Sequence, residues 1–210
     1  VLKVVRNLLA KQVDGIIFMG YSMPDELRDE LKSSNTPVVV AGSVINDDEL
    51  ATVRIDYENA AKEATLKLLD NAKDHVAFVT GPLKYVINSN DRLSGYKAAL
   101  AERHVDFDDQ LVVETDGTYQ SSYDQAKKLV EAGVKAAYVS NDNLAVGLLN
   151  GLTDNGVKVP DDFEIISSND TTYTKISRPT ISSITQPLYD IGAIAMRLLT
   201  KLMDGKDSTA

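Results

Sequence analysis

Arg92 follows "INSND" and precedes "LSGYKAAL", so its guanidinium falls near the first turn of a helix that begins beside a strand's carboxyl end. An arginine in that place can reach into a cleft and hydrogen-bond diols or a phosphate in a two-pronged geometry. A surface ion pair with Asp91 or Glu102 is the alternative. Asp142 and Asp170 also stand where strands end, in "YVSND" and "IISSND". Either carboxylate suits a general base, but nothing in the sequence supplies a partner nucleophile. The chain has no cysteine, and its two histidines, His75 and His104, are far apart. That removes a thiolate and argues against a zinc site or a histidine-dependent triad. Neither G-x-G-x-x-G nor G-x-x-x-x-G-K-[ST] occurs, so no glycine-rich phosphate loop is present. Asp47, Asp48 and Glu49 read as a solvated acidic loop. The residue set points to binding rather than turnover, and to no metal.

A second group lies in "QPLYDIGAIAMRLLTK" (186–201). Wound at about 100° per residue, Leu188, Ile191, Ala195, Leu198, Leu199 and Leu202 form one stripe, the expected core face. The opposite face carries Tyr189, Ala193, Met196, Arg197 and Thr200, flanked by Asp190 and Lys201. Tyrosine, methionine and arginine are types enriched at interfaces, so this face is expected to dock a partner or pair copies of the chain.

The elements that must position these residues alternate almost throughout. Helices are expected over 1–12, 24–33, 57–70, 90–103, 121–132 and 142–154, with a last one after 186. Strands are expected at 15–19, 37–41, 52–55, 75–81, 110–114, 136–140, 163–167 and 180–185. Strands apolar on both faces and separated by helices indicate parallel sheets covered on both sides. So many elements fit two lobes, each a small doubly wound α/β sheet, better than one. Five strands end in small polar residues, "MGYS", "AGS", "TGP", "VSND" and "SSND". In open parallel sheets ligands sit beyond such ends, although polar loops and helix caps account for any one of them.

Composition bounds the partners. A net charge of −9 over 210 residues opposes nucleic-acid binding by this chain itself, since phosphate contacts need clustered Lys and Arg. No apolar run approaches the roughly 18 residues of a membrane span. The absence of cysteine fits a cytoplasmic protein.

The stretches "IDYENAAKEATLKLLDN", "HVAFVTGP", "DRLSGYKAAL", "YVSNDNLAVGLLNGLTDNGVKVPDDFEII" and "RPTISSITQPLYDIGAIAMRLL" resemble, in order and spacing, the core of the lactose-repressor family of transcription regulators. "KQVDGIIFM", "PVVVA" and the last helix look like the branch that serves carbon catabolite repression in Gram-positive bacteria. The resemblance implies a two-lobed periplasmic-binding-protein-like fold, residues 1–56 with 187–210 forming one lobe and 57–186 the other. The chain would cross near Ile55–Asp56, at Gln186–Pro187 and past Asp204. It also implies a homodimer that meets operator DNA only through a helix-turn-helix head preceding Val1.

By the same resemblance, the effector pocket falls on Arg92, Asn141, Asp142 and Gln186. Where the family has Gly-Phe-Asp this chain has Ser167, Ser168 and Asn169, so the ligand-binding carboxylate is either the amide of Asn169 or displaced to Asp170. The family's Gly-His before "HVAFV" is replaced by Ala72 and Lys73. Glucose 6-phosphate or fructose 1,6-bisphosphate are the implied small effectors; no cofactor is. The implied corepressor is the serine-phosphorylated phosphocarrier HPr, docking on Tyr189, Asp190, Ala193, Met196, Arg197 and Lys201. The rivals are a repressor answering to a sugar or nucleoside alone and a periplasmic-type sugar-binding protein. An enzyme is not expected.

Overall fold

Every other residue of "VVVA" points into a different core, and that one strand explains how its whole unit is built. A computed structural model describes residues 1–20, 23–42, 50–72, 74–84 and 88–205. In chain order the elements are α1 (Leu2–Ala10), β1 (Ile16–Phe18), α2 (Asp25–Ser33), β2 (Val38–Ala41), β3 (Ala51–Val53), α3 (Tyr57–Ala72), β4 (Val76–Thr80) and α4 (Ser89–Glu102). They continue with β5 (Val112–Glu114), α5 (Tyr119–Tyr123), α6 (Ala126–Glu131), β6 (Ala136–Val139), α7 (Asp142–Asp154), β7 (Glu164–Asn169), α8 (Thr172–Ile176), β8 (Ser182–Thr185) and α9 (Leu188–Met203). The chain divides into two compact units, Val1–Ile55 with Pro187–Ala210, and Asp56–Gln186.

The first unit holds the parallel sheet β1-β2-β3. Val38 and Val40 of β2 face a core with Val5 of α1 and Leu27 and Leu31 of α2. Val39 and Ala41 face Ile191, Ala195 and Leu199 of α9. Alternation of side chains along a strand puts successive residues on opposite faces, so a sheet covered on both sides needs an unbroken apolar strand.

The second unit is a five-stranded parallel sheet in the order β5-β4-β6-β7-β8. On one face Phe78 stacks between Tyr96 and Tyr138, at centroid distances of 5.8 and 5.5 Å, beneath α3 and α4. The Tyr96 hydroxyl donates to the Val76 carbonyl at 2.8 Å, so this buried phenol is satisfied. On the other face Val79 and Val139 pack on Leu144, Leu148 and Leu152 of α7. Helix α4 comes so near α3 that a Cβ at Gly95 would lie 2.1 Å from the Glu58 carbonyl oxygen. The strand order reverses between β4 and β6: β5 lies on one side of β4, and β6, β7 and β8 follow on the other. Such a reversal opens a crevice at the carboxyl ends of the strands.

The structure departs from the expectations at five points. The helix expected over 121–132 is two helices, because the backbone tightens at Gln125, whose N–H reaches back only to Ser122. The first half of the strand expected at 110–114 is a 3-10 turn, Asp109–Leu111, capped by the Asp108 carboxylate on the Gln110 amide. Helix α8 was not expected at all. Leu188 is 58% exposed, since the apolar cluster beneath α9 begins only at Ile191, and Ala193, expected on the open face, is half-buried. The acidic run Asp47–Glu49 and Lys73 lie outside the described residues. Among the described residues no helix is long and apolar enough to cross a membrane, and no cluster of carboxylates and histidines is suited to a metal.

Candidate functional site

Four adjacent strands of the second unit, β4, β6, β7 and β8, lead directly to the residues singled out from the sequence. Arg92 lies in the first turn of α4 and is only 5% exposed. Its guanidinium carbon sits 4.1 Å from the ring centroid of Tyr57, the first residue of α3. One terminal nitrogen donates to the Asn88 carbonyl at 3.2 Å. Its Nε is buried without a hydrogen-bond partner among the described residues. The surface-pair alternative does not hold: Glu102 pairs with Lys62 at 2.6 Å, and Arg92 is interior. The phenols of Tyr57 and Tyr138 face this arginine. Burial pushes both above the ordinary tyrosine range, while the Arg92 cation pulls the other way.

Asn141 caps α7, its Oδ1 accepting the Leu144 amide at 3.0 Å. Its amide nitrogen takes no partner among the described residues. Asp142, one residue on, is 2% exposed and wholly engaged inside the fold. Its Oδ1 accepts from the Ser167 hydroxyl at 2.5 Å and the Ser183 hydroxyl at 3.3 Å, and its Oδ2 from the Thr171 amide at 2.6 Å. The three hydrogen bonds of this carboxylate all go to groups of the second unit itself. Asn169 and Gln186 meet at the ends of β7 and β8, the Gln186 amide donating to Asn169 Oδ1 at 2.5 Å. The Asp170 carboxylate accepts from Thr185 at 3.1 Å and pairs with Lys175 at 3.4 Å.

Arg92 with Tyr57 and Tyr138 thus belongs to the α3–α4 face of the sheet, and Asp142 with Ser167 to the α7 face. Asn141, Asn169 and Gln186 stand at the strand ends. The Arg92 guanidinium and the three amides are donor types suited to hydroxyl and phosphate oxygens, and the phenols of Tyr57 and Tyr138 are buried beside Arg92. No nucleophile-and-base pair is among them. The sequence reading missed Tyr57 and Tyr138. One signal was available: Tyr138 is the single hydroxyl-bearing residue in the apolar run "AAYV", and a buried phenol needs a polar neighbour.

On α9 of the first unit, Tyr189 is 86% and Met196 51% exposed, and Asp190, Arg197 and Lys201 are exposed with them. Neither Arg197 nor Lys201 pairs with a carboxylate among the described residues. Ile194, which the sequence reading did not single out, is also exposed on this helix.

Comparison with known proteins places these observations. The family described as "Periplasmic binding protein-like domain" matches residues 65–210. Catabolite control protein A of Streptococcus mutans is 48% identical over 97% of the chain and 61% of its own length. The crystal structure of the transcription regulator CcpA of Lactococcus lactis superposes with a TM-score of 0.92 and 46% identity, covering 99% of this chain and 76% of that one. A sugar-binding transcriptional regulator of the LacI family from Escherichia coli, solved with phosphate, gives a TM-score of 0.85 and 26% identity over 98% and 74% of the two chains. The chain thus spans about three fifths of the length of the S. mutans relative it matches.

Proposed function

The chain belongs to the periplasmic binding protein-like family, in its branch of LacI-type transcription regulators, and from this premise we propose that it is the corepressor- and effector-binding core of a regulator of carbon catabolite repression. Its partner in this reading is serine-phosphorylated HPr, and a sugar phosphate, glucose 6-phosphate or fructose 1,6-bisphosphate, is its small effector. The core acts as a cytoplasmic homodimer, and operator DNA is gripped by a helix-turn-helix head of the whole protein. The core binds and transmits; it catalyses nothing.

The observation that carries the reading is the exposed face of α9. A helix whose Ile191, Ala195 and Leu199 are buried leaves a tyrosine, a methionine and an arginine in solvent, the arginine without a carboxylate partner among the described residues. Arg197 offers a planar fork to a phosphate, and Lys201 a second cation one turn away. The ring of Tyr189 and the thioether of Met196 offer apolar area around it. The donors at the strand ends of the second unit suit a sugar phosphate by the same chemistry, the Arg92 guanidinium among them.

A pull-down with purified HPr tests the proposal. The immobilised chain is expected to retain HPr phosphorylated on serine and to release the unmodified protein. Equal retention of both forms, or of neither, overturns the corepressor reading and leaves a repressor answering to a small ligand alone.

A further inference from the structure

The two residues that end β7 hold a backbone conformation that side chains resist. Asn169 has φ of 137° and Asp170 φ of 54°, consecutive positive values without a glycine. Such geometry persists only where the surroundings over-determine it. Here the surroundings converge on one carboxylate. The Thr171 amide, just beyond the turn, donates to Asp142 Oδ2 at 2.6 Å. The Asp170 amide, inside the turn, donates to Ser183 Oγ at 3.0 Å, and the Ser183 hydroxyl in turn reaches Asp142 Oδ1 at 3.3 Å. The Ser167 hydroxyl anchors the same Oδ1 from within β7 at 2.5 Å. Asp142 thus ties β7, β8 and the start of α8 to the first residue of α7. Its own charge sits at a helix N-terminus, where the backbone dipole favours it. All three donors to it are neutral, so removal of any one leaves a buried acceptor short of a bond.

We propose that Asp142 is a positioning residue for the effector site: its buried carboxylate holds the strained Asn169–Asp170 turn in the shape that presents Asn169, and does not touch the ligand. This rests on the effector reading given above. It also gives Ser167 a role: its buried hydroxyl is one of the three donors that hold the Asp142 carboxylate.

Two substitutions at one position separate positioning from contact. Asp142→Ala removes both acceptors. Asp142→Asn keeps an oxygen for the Thr171 amide, while Ser167 and Ser183 rotate to accept from its NH2. In the ligand-free protein, Asp142→Ala is expected to speed amide hydrogen exchange at Asp170 and Thr171 tenfold or more, with β4 and β6 amides unchanged. Its affinity for glucose 6-phosphate, by titration calorimetry, is expected to fall at least tenfold. Asp142→Asn is expected to restore both within about threefold. Unchanged exchange at Asp170 and Thr171 in Asp142→Ala overturns the proposal. So does an Asp142→Asn that exchanges normally yet binds as poorly as Asp142→Ala, because the charge would then meet the ligand directly. Should Asp142→Ala not fold, Ser183→Ala cuts the relay alone and is expected to speed exchange at Asp170; no change there overturns the proposal equally. A parent protein that binds neither glucose 6-phosphate nor fructose 1,6-bisphosphate refutes the effector reading instead, and the exchange arm still decides whether the carboxylate holds the turn.

Discussion

The central carbon of the Arg92 guanidinium sits over the Tyr57 ring, 4.1 Å from its centroid, inside the fold and not on its surface. A cation so placed gains from the ring's negative face and loses its hydration. The two effects oppose each other, and the buried Nε without a partner adds to the loss.

Arg92→Met therefore changes stability little, by about 1 kcal/mol or less, because a lost cation–π contact of roughly 0.5–2 kcal/mol is offset by relief of a desolvated charge. Binding of a sugar phosphate responds differently. Charge-assisted bonds contribute about 1.5–3 kcal/mol each, so affinity falls tenfold or more. Urea unfolding and titration calorimetry on the same preparation check both halves, and an unchanged affinity removes Arg92 from the site.

Arg197→Glu is expected to abolish binding of serine-phosphorylated HPr, since a carboxylate facing a phosphate repels it. The residue is exposed and lies off the cluster of Ile191, Ala195 and Leu199, so stability moves by about 0.5 kcal/mol or less. Lys201→Ala weakens binding less, being a point charge at the rim. Surface plasmon resonance on the folded variants ranks the three proteins, and an Arg197→Glu that binds like the parent assigns the face to something else.

Two glycines give opposite signs for the same substitution. At Gly95 a Cβ would meet the Glu58 carbonyl oxygen at 2.1 Å and Ala61 Cβ at 2.9 Å, both on α3. Gly95→Ala must push two helices apart and is expected to cost about 1–3 kcal/mol. A Cβ at Gly192 on α9 would meet nothing within 4 Å among the described residues beyond its own helix backbone. Gly192→Ala is expected to gain up to about 1 kcal/mol from helix propensity. Thermal melts of the two variants should shift in opposite directions; a shared direction contradicts the close crossing of α3 and α4.

Alkaline pH is expected to destabilise the second unit. Burial raises the phenols of Tyr57, Tyr96 and Tyr138 above the ordinary value of 10.0. The folded state then holds these protons when the unfolded chain has released them. Their stabilising contribution is complete below about pH 10 and is lost as pH rises through their folded values. Urea midpoints should be level across neutral pH and fall from about pH 10 upward. In the native protein an absorbance titration should show at least three of the nine tyrosines ionising late.

The sheets were legible because double-sided burial leaves unbroken apolar strands: "VVVA" and "VAFVT" admit no other reading. Helix α7 was legible in full, expected over 142–154 and found at Asp142–Asp154. The break at Asp124–Gln125 was not, since the helical spacing of Ala126 and Leu129 continues that of Ser122. Leu188 has the right spacing for the core, but spacing does not say where the core ends. At the site, strand ends pointed to Arg92, Asp142 and Asp170, while Asn141, Asn169 and Gln186 came only with the family resemblance. What periodicity could not convey is pairing across distance: Asp142 meets Ser167 and Ser183, 25 and 41 residues away. A serine's hydroxyl looks the same in sequence whether it faces water or a carboxylate.

The first unit is assembled from both ends of the chain, and this orders events during synthesis. Strands β1, β2 and β3 leave the ribosome early, with Val39, Ala41 and Val53 destined to lie against α9. The helix that covers them is translated only after the whole of the second unit, which is continuous in sequence. Until then one face of a small apolar sheet stays open, and closing it means joining segments across the entire second unit. Loop-closure entropy grows only slowly with such a span, but contacts between distant segments form late. The nascent chain therefore spends its longest interval with β2 half covered, and that interval is where chaperone binding or misassembly would concentrate.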